Sequence, residues 1–425
     1  FSISSNIPKR TLIWRMVQDP VKKNLLFAAT EFGIYTSLNG GKSWQKLDGA
    51  PTISFRDLTI QKRENDLVAA SFGRGFFILD DYSALREFTE ENLNQKGKLF
   101  APRTAKWFVP RSKIGNTGAD YYFAQNPEYG AVFTYHLADD YKTAEDIRRD
   151  REIELNKRNA NIPFPGWDAL DAEKDEEAAS VVLTIQDDKG NIINKISKRA
   201  RDGSHRIAWD FSHFNPYPVS SESPRYNSGG ALAKPGTYQA SLSLVQNGDV
   251  TQLDGPVSFD VKAIYDGVLK GISHEEYNSY LNEVSELYNG ISAVEDVLSE
   301  SIKMQKAMVN ALKKAKILPG SIEPKIAELK ADLIRIKKSI SGSPSKSEVG
   351  EKNPSGLDNY LYNATPGLRN SYGPTPLHMK SLEIAKKLLS DLRKEVTSIN
   401  NIQIPEIEKA LKEAGAPYIM GQGID

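Results

Sequence analysis

The chain has 425 residues and carries 55 basic and 55 acidic side chains, so no net charge would draw it to nucleic acid. This length exceeds what one hydrophobic core usually supports and predicts two to four domains. There is no cysteine, which excludes disulfides, zinc–thiolate sites and cysteine nucleophiles. No stretch approaches the ~18 apolar residues of a membrane-spanning helix.

A repeated pattern occupies residues 11–81. Short apolar runs separated by turn residues occur twice, and the offset is 41 residues from Ala28 to Ala69 and 42 residues from Gly33 to Gly75. A period near ~40–45 residues is typical of one β-propeller blade, in which each repeat forms a small antiparallel sheet. The repeat therefore predicts two consecutive blades.

A segment between the two copies has the spacing S-x-D-x-G-x-x-W. Its matching residues are Ser37, Asn39, Gly41 and Trp44, with asparagine at the aspartate position. A short polar side chain can hydrogen-bond such a turn, glycine permits a positive φ, and tryptophan can pack into the sheet. The segment resembles the Asp-box, and we expect Asn39 to preserve its hairpin.

The surrounding sequence resembles bacterial BNR-repeat proteins of the sortilin-like, glycosyl hydrolase-like class. This resemblance implies that residues 1–95 form the last two propeller blades and that an N-terminal portion of the same protein, as a separate fragment or chain, supplies the others. The Asp-box is a folding motif, so it does not distinguish an enzyme from a binding protein. The resemblance rests on the Asp-box and on residues 18–20, 29–33, 71–81, 126–131 and 231–238.

Alternation of period two predicts a second β-rich region over 130–263. About seven short strands, joined by turn sequences such as residues 187–191, predict an immunoglobulin-like β-sandwich. Residues 138–178 carry a net charge of −6 and are expected to form a partly helical surface insertion. Residues 96–129 are expected to be a linker that packs on the propeller and the sandwich.

Heptad spacing of apolar residues predicts an antiparallel helical coiled coil or bundle over 264–425. Pro319 and Gly320 separate the first two helices, and a looser segment, 341–378, precedes the third. Residues 301–346 carry a net charge of +8, which indicates a solvated helical face or a surface for an acidic partner or lipopolysaccharide. The three stripes are Tyr277, Leu281, Val284, Tyr288, Ile291, Val294 and Leu298; Ile322, Ile326, Leu329, Leu333, Ile336 and Ile340; and Leu382, Ala385, Leu389, Leu392, Val396 and Ile399.

No catalytic residue can be assigned from the sequence. Glu31 and Arg74 lie in equivalent loops of the two repeats and are candidates for the propeller face, although a structural role is the alternative. Asp80 and Asp81 are adjacent on a strand and point to opposite faces, so they cannot flank one glycosidic bond and are expected to cap a turn. The five histidines lack metal-ligand spacing and no cofactor motif occurs, so neither a metal nor a cofactor is expected.

Several aromatic residues suit either stacking on sugar rings or sealing a seam between domains, and the proline-rich sequence around them favours the seam. They are Trp107, Tyr121, Tyr122, Phe123, Trp167 and Tyr217.

Three functional hypotheses remain open. The favoured one is a non-catalytic structural or interaction region of a secreted or cell-surface Asp-box propeller protein. A glycoside hydrolase of the sialidase or xyloglucanase kind would have its active site in the upstream propeller, and a sortilin-like protein would bind a peptide or protein. The expected partners are the N-terminal propeller portion, a glycan or peptide ligand and a cell-surface assembly, and the expected location is extracellular, at the bacterial cell surface or in the periplasm.

Overall fold

The computed structural model describes residues 6–110, 124–215, 219, 230–265, 267–268 and 270–419. Helices comprise 38% of the chain and strands 26%. The sequence predicts a mainly β fold followed by helices, whereas the structure is mixed α/β. Sheets dominate one of two compact units and helices the other. The first unit comprises Phe1–Phe108, Ser112–Phe211 and Ala233–Ile264, and the second comprises Val109–Arg111, Ser212–Leu232 and Tyr265–Asp425.

The first repeat forms a four-stranded antiparallel sheet in the order β1-β2-β3-β4. Every residue of β2 and β3 is buried, so both faces of these two strands are covered. The continuous apolar runs seen in the sequence have this cause, because a strand covered on both faces does not need to alternate. The strands are β1 (Ile13–Gln18), β2 (Leu26–Thr30), β3 (Gly33–Ser37) and β4 (Gln45–Lys46).

The second repeat forms a three-stranded antiparallel sheet, β5 (Phe55–Gln61), β6 (Asp66–Ser71) and β7 (Phe76–Leu79). One face of it packs against the first sheet, and Phe27, Phe55 and Leu58 lie fully buried between the two. The two edge strands β1 and β5 are close neighbours. The repeat in the sequence thus corresponds to two small sheets that share one core.

A buried ion pair joins the ends of the two sheets. Asp19 follows β1, and its carboxylate accepts hydrogen bonds from the Arg86 guanidinium at 2.8 Å and from the Tyr82 hydroxyl at 2.7 Å. The same guanidinium donates to Asn65 Oδ1, in the turn between β5 and β6, at 2.8 Å. Burial alone would raise the pKa of Asp19, but the hydrogen bonds from Arg86, Tyr82 and two backbone amides outweigh it and lower the pKa.

Two further sheets in the first unit share an aromatic core. Trp209 lies 5.0 Å from Tyr238 between ring centroids, and Phe133 lies 5.0 Å from Phe259, so side chains from both sheets interdigitate. One sheet has the order β13-β10-β8, and the other has the order β12-β11-β14-β15-β9. The strands are β8 (Gly97–Phe100), β9 (Ala105–Trp107), β10 (Ala131–Leu137), β11 (Ser180–Asp187), β12 (Ile192–Arg199), β13 (Gly203–Trp209), β14 (Gly236–Gln246) and β15 (Asp249–Ala263).

The segment 96–129, predicted as a linker, contains two of these strands. Strand β8 pairs antiparallel with β10, and β9 pairs parallel with the end of β15. Both are short and lack a long alternating pattern, so only the partner strands identify them. Trp107 at the end of β9 is buried and donates to the Ala233 carbonyl at 2.8 Å, which fits a sealing role rather than sugar stacking. Among the other aromatic candidates, Trp167 is 73% exposed, and the remainder lie outside the described residues: Tyr121, Tyr122, Phe123 and Tyr217.

Short helices in the first unit have solvated surfaces. Helix α1 is Glu90–Leu93, and the charged insertion 138–178 holds α2 (Ala144–Lys157) and α3 (Trp167–Asp175). None of the three has a buried residue. Ion pairs such as that between Arg148 and Glu173, 2.7 Å apart, connect α2 to α3.

The second unit is a helical bundle built on the three predicted stripes. Nearly all of the stripe residues are buried in one core, and Tyr288 is partly buried against it. In the described part of the chain, no helix is long and apolar enough to cross a membrane. The helices are α4 (His274–Leu312), α5 (Glu323–Ser341), α6 (Pro344–Glu348), α7 (Leu357–Ala364), α8 (Pro376–Ser398) and α9 (Ile404–Glu413).

The long helices α4, α5 and α8 run up, down and up. Glu283 in α4 pairs with Lys386 in α8 at 2.6 Å, and seven residues further along each helix Gly290 contacts Arg393, so these two helices are parallel. A methyl group on Gly290 would lie 2.7 Å from the Leu389 side chain, which explains why glycine occupies a buried helix position. The predicted antiparallel arrangement therefore applies to α5 against its two neighbours.

Replacing the buried carboxylate of Asp19 tests the link between the two small sheets. We expect Asp19→Asn to lower the free energy of unfolding by about 3 kcal/mol, because it leaves the partly buried Arg86 guanidinium without its counter-charge. Since the folded pKa lies below the ordinary value of 3.8, the ionic contribution of Asp19 is present at neutral pH and is lost as the pH falls through the folded pKa. Urea melts at several pH values would measure both effects.

The matched control is Asp57→Asn, which removes the acid of an ion pair with Arg15 at the surface, where the two side chains are 66% and 60% exposed. An exposed pair contributes less than about 1 kcal/mol. Equal losses for the two variants would contradict the assignment of Asp19 as the link.

Candidate functional site

One end of the two small sheets brings together the loops that the sequence singled out. The register pairs Ile13 with Thr30 and Phe55 with Ser71, so β1 and β5 begin beside the hairpins β2–β3 and β6–β7. Glu31 lies in the first hairpin and Arg74 in the second. The two predicted residues are thus at corresponding positions on the same end of neighbouring sheets.

Glu31 and Arg74 differ in what they contact. The Glu31 carboxylate accepts a hydrogen bond from the Leu12 amide at 2.8 Å, and the Glu31 amide donates to the Leu12 carbonyl, so this side chain holds the start of β1. Arg74 is exposed, and within the described chain it forms no hydrogen bond or ion pair. The structure therefore gives Glu31 a structural contact and leaves Arg74 available to solvent.

Three other side chains at this end form a compact group that we call the aromatic–arginine cluster: Trp14, Arg56 and Phe72. The Arg56 guanidinium carbon lies 3.6 Å from the centroid of the Trp14 ring and 4.9 Å from that of Phe72. Trp14 is on β1 and Arg56 on β5, so the adjacency of the two edge strands creates the contact. Both rings are substantially exposed, at 40% for Trp14 and 70% for Phe72.

The aromatic–arginine cluster combines exposed ring surface with a restrained cation. Stacking on aromatic rings restrains a guanidinium while its N–H groups stay at the edge of the stack. Arg56 forms no hydrogen bond or ion pair with another described residue, and the neighbouring Arg15 pairs with Asp57 at 3.4 Å. The cluster thus offers exposed ring surface and a restrained donor. Sequence reasoning missed it because the three residues come from different strands and loops.

The segment 37–44, which resembles the Asp-box in sequence, forms a hydrogen-bonded turn. Asn39 Oδ1 accepts from the Ser43 amide at 2.9 Å and from the Ser37 hydroxyl at 3.0 Å, and the Ser37 oxygen accepts from the Gly41 amide at 2.8 Å. Gly41 has a φ of +89°, which favours glycine. Trp44 is 3% exposed. These contacts are internal to the turn and its sheet, so the segment stabilises the fold.

The acidic residues after β7 form a junction within the first unit. Asp81 accepts from the Ser83 hydroxyl at 2.6 Å, which is a turn-capping contact, and Arg206 donates to the carbonyls of Asp80 and Asp81. Burial and the nearby Asp66 raise the pKa of Asp80. Asp66 itself accepts from the Asp81 amide at 2.9 Å, so its carboxylate serves a backbone contact.

Three basic side chains surround another carboxylate in the first unit. Glu64 pairs with Arg103 at 3.0 Å, with Lys106 at 2.7 Å and with Arg63 at 3.0 Å. The hydrogen bond from Lys106 is the main cause of its lowered pKa. These cations already have an acidic partner. In the described chain, no group of three or more histidine, aspartate or glutamate residues could hold a metal ion.

Comparisons with known proteins identify no family for this chain. No protein family matches the sequence, and no curated protein matches it. One similar solved structure is dimeric latent PorU from Porphyromonas gingivalis, with 12% identity and a TM-score of 0.22 over 60% of this chain and 21% of that one. Another is the extracellular domain of the one-component system BT4673 from B. thetaiotaomicron, with 13% identity and a TM-score of 0.14 over 60% and 25%.

The matches thus span a quarter or less of these two chains. Similarity at this level carries no argument about function. The resemblance to BNR-repeat and sortilin-like proteins remains a prediction from sequence motifs.

The Asp-box contacts generate a prediction about stability. We expect Trp44→Ala to cost about 3–5 kcal/mol, because it removes a buried indole, and Asn39→Ala to cost about 1 kcal/mol, because it removes the hydrogen bonds of the turn. Asn39→Asp, which restores the Asp-box residue, should melt close to the native chain. Thermal or urea melts would measure all three, and an unchanged melt for Trp44→Ala would contradict the structural role.

Proposed function

We propose that this chain is a non-catalytic structural and interaction region of a secreted or cell-surface Asp-box propeller protein. In this proposal the sheets β1–β4 and β5–β7 are propeller blades. The repeat period, the shared core, the adjacent edge strands and the Asp-box turn support this view. The two sheets with a common aromatic core support an immunoglobulin-like arrangement for the following region.

The observation that carries the proposal is an apolar patch on β6 and β7, on the outer face of the sheet β5–β7. Val68 pairs with Ile78 and Ala70 pairs with Phe76, so these four side chains form adjacent rows on one face. Phe76 is 76% exposed and Ile78 is 58% exposed, whereas the opposite face of the sheet is buried. A contiguous apolar patch on a sheet indicates an interaction surface. Another blade-like sheet from the N-terminal portion of the protein would cover it.

A sortilin-like binding function is the second candidate, and the aromatic–arginine cluster favours it. Ring surface at Trp14 and Phe72 and the guanidinium of Arg56 suit a peptide or glycan ligand. Arg74 lies at the same end and adds an exposed donor. This function is compatible with the first one, because a propeller completed by further blades would still expose this end.

The described residues support glycosidase activity less than they support the structural and binding functions. Hydrolysis needs two carboxyl groups about 5–9.5 Å apart on either side of one bond. At the candidate site, Glu31 holds a backbone amide and Asp57 pairs with Arg15. Burial raises the pKa of Asp80, but this residue lies in a junction that joins β7 to β13.

Substitutions on the apolar face test the structural proposal. We expect the double variant Phe76→Lys, Ile78→Lys to bind less of an apolar dye than the native chain and to lose association with the N-terminal propeller portion in size-exclusion chromatography. The control Ile192→Lys, Val250→Lys changes exposed apolar residues on β12 and β15 and should keep the association. Association that survives the first variant would contradict the proposed docking face.

An activity screen tests the non-catalytic part of the proposal. We expect the 425-residue chain to give no turnover of sialosides, xyloglucan or aryl glycosides, because Glu31 and Asp57 at the candidate site serve a backbone contact and an ion pair. The Asp80→Asn variant is the specific check, since the pKa of Asp80 is raised. Native turnover that disappears in Asp80→Asn would make this residue the catalytic acid and would refute the proposal.

A further inference from the structure

The tip of the α4–α5 hairpin combines exposed apolar residues with basic ones. Leu318 is 88% exposed and Ile317 is 40% exposed in the connection between the two helices. Lys313, Lys314 and Lys316 immediately precede them and are exposed as well. We name these five residues the hairpin tip.

All the charged side chains of the hairpin tip are positive. Residues 301–322 contain five lysines and no acidic residue. The first acid after the tip, Glu323, accepts hydrogen bonds from the Gly320 and Ile322 amides, so its carboxylate is occupied by the backbone. Within the described chain, the three lysines of the tip form no ion pair. Each lysine can therefore extend its amine towards an external anion.

Local structure holds the tip in place. The Lys316 amide donates to the Ala414 carbonyl at 2.8 Å, which attaches the connection to the end of α9. Ile322, immediately beyond the turn, is buried in the bundle core. Leu318 is thus exposed on an anchored loop, although the neighbouring Ile322 is buried. Stabilisation of the helix C-terminus explains Lys313 and Lys314, since cations favour that end, but it does not explain an exposed leucine.

We propose that the hairpin tip docks on an anionic lipid membrane, with Leu318 and Ile317 entering the interface and the three lysines contacting acidic headgroups. Lysines beside an apolar insertion keep their amines at headgroup level while their aliphatic stems lie along the acyl boundary. An acidic protein would use the lysines but would not need the solvated leucine. The combination of residues therefore favours a lipid surface, and this inference does not depend on the proposed propeller function.

Sedimentation of the 425-residue chain with vesicles tests this docking. We expect binding to phosphatidylcholine vesicles that contain phosphatidylglycerol, no binding to phosphatidylcholine alone, and weaker binding as salt rises. The variant Lys313→Gln, Lys314→Gln, Lys316→Gln should weaken binding at least tenfold. Leu318→Ser should weaken it about tenfold, the scale expected for removing one inserted leucine.

Matched controls separate the tip from general charge and hydrophobicity. Lys337→Gln, Lys338→Gln, Lys346→Gln removes the same charge from the end of α5 and from α6, and Leu377→Ser changes a leucine that is 68% exposed at the start of α8. Both should keep the native affinity. All the substituted side chains are exposed, so circular dichroism melts should be unchanged.

Three outcomes would overturn the proposal. The first is that the native chain does not bind vesicles. The second is that the tip variants and the control variants lose vesicle affinity equally. The third is that the triple lysine variant loses vesicle affinity but Leu318→Ser does not. In the last case, binding to poly-glutamate that shows the same dependence on the lysines would identify an acidic polymer as the partner.

Discussion

The carboxylate of Asp19 holds the two small sheets in one arrangement. It lies at the exit of β1, and its partners Arg86 and Tyr82 follow β7, so one acid connects the beginning and the end of the paired sheets. The side chain of Asp19 is fully buried, and such a charge is stable only when its hydrogen-bonding capacity is used. The positions of β1 and β5, and therefore of the aromatic–arginine cluster, depend on this contact.

Local turn chemistry supplies the second level of organisation. The Asn39 side chain organises the connection after β3, and Asp81 caps the turn after β7 with a left-handed backbone of φ 40°. Both residues use short polar side chains to satisfy backbone or hydroxyl donors at the surface. Glu31, Asn39 and Asp81, which the sequence singles out, thus have structural contacts, whereas Arg74 stays exposed to solvent.

In the proposed function, the exposed residues serve recognition at separate surfaces. The outer face of the sheet β5–β7 carries an apolar patch on β6 and β7, the aromatic–arginine cluster is amphipathic, and the hairpin tip is basic with an apolar end. Each surface suits a different kind of partner. The apolar patch suits another sheet, the aromatic–arginine cluster suits a polar ligand with a flat surface, and the hairpin tip suits an anionic membrane.

The sequence by itself determined the features that depend on neighbouring residues. The repeat of 11–81, the polar turn at 37–44 and the three heptad stripes follow from short-range spacing, and the structure contains the corresponding sheets, turn and helices. Only the tertiary structure revealed β8 and β9, which are too short to be recognised without β10 and β15, and the parallel course of α4 and α8. It also brought Trp14, Arg56 and Phe72 together and assigned Glu31 to a backbone amide. The physical reason is that periodicity reports which face of an element is buried, whereas a site depends on which distant elements that burial brings side by side.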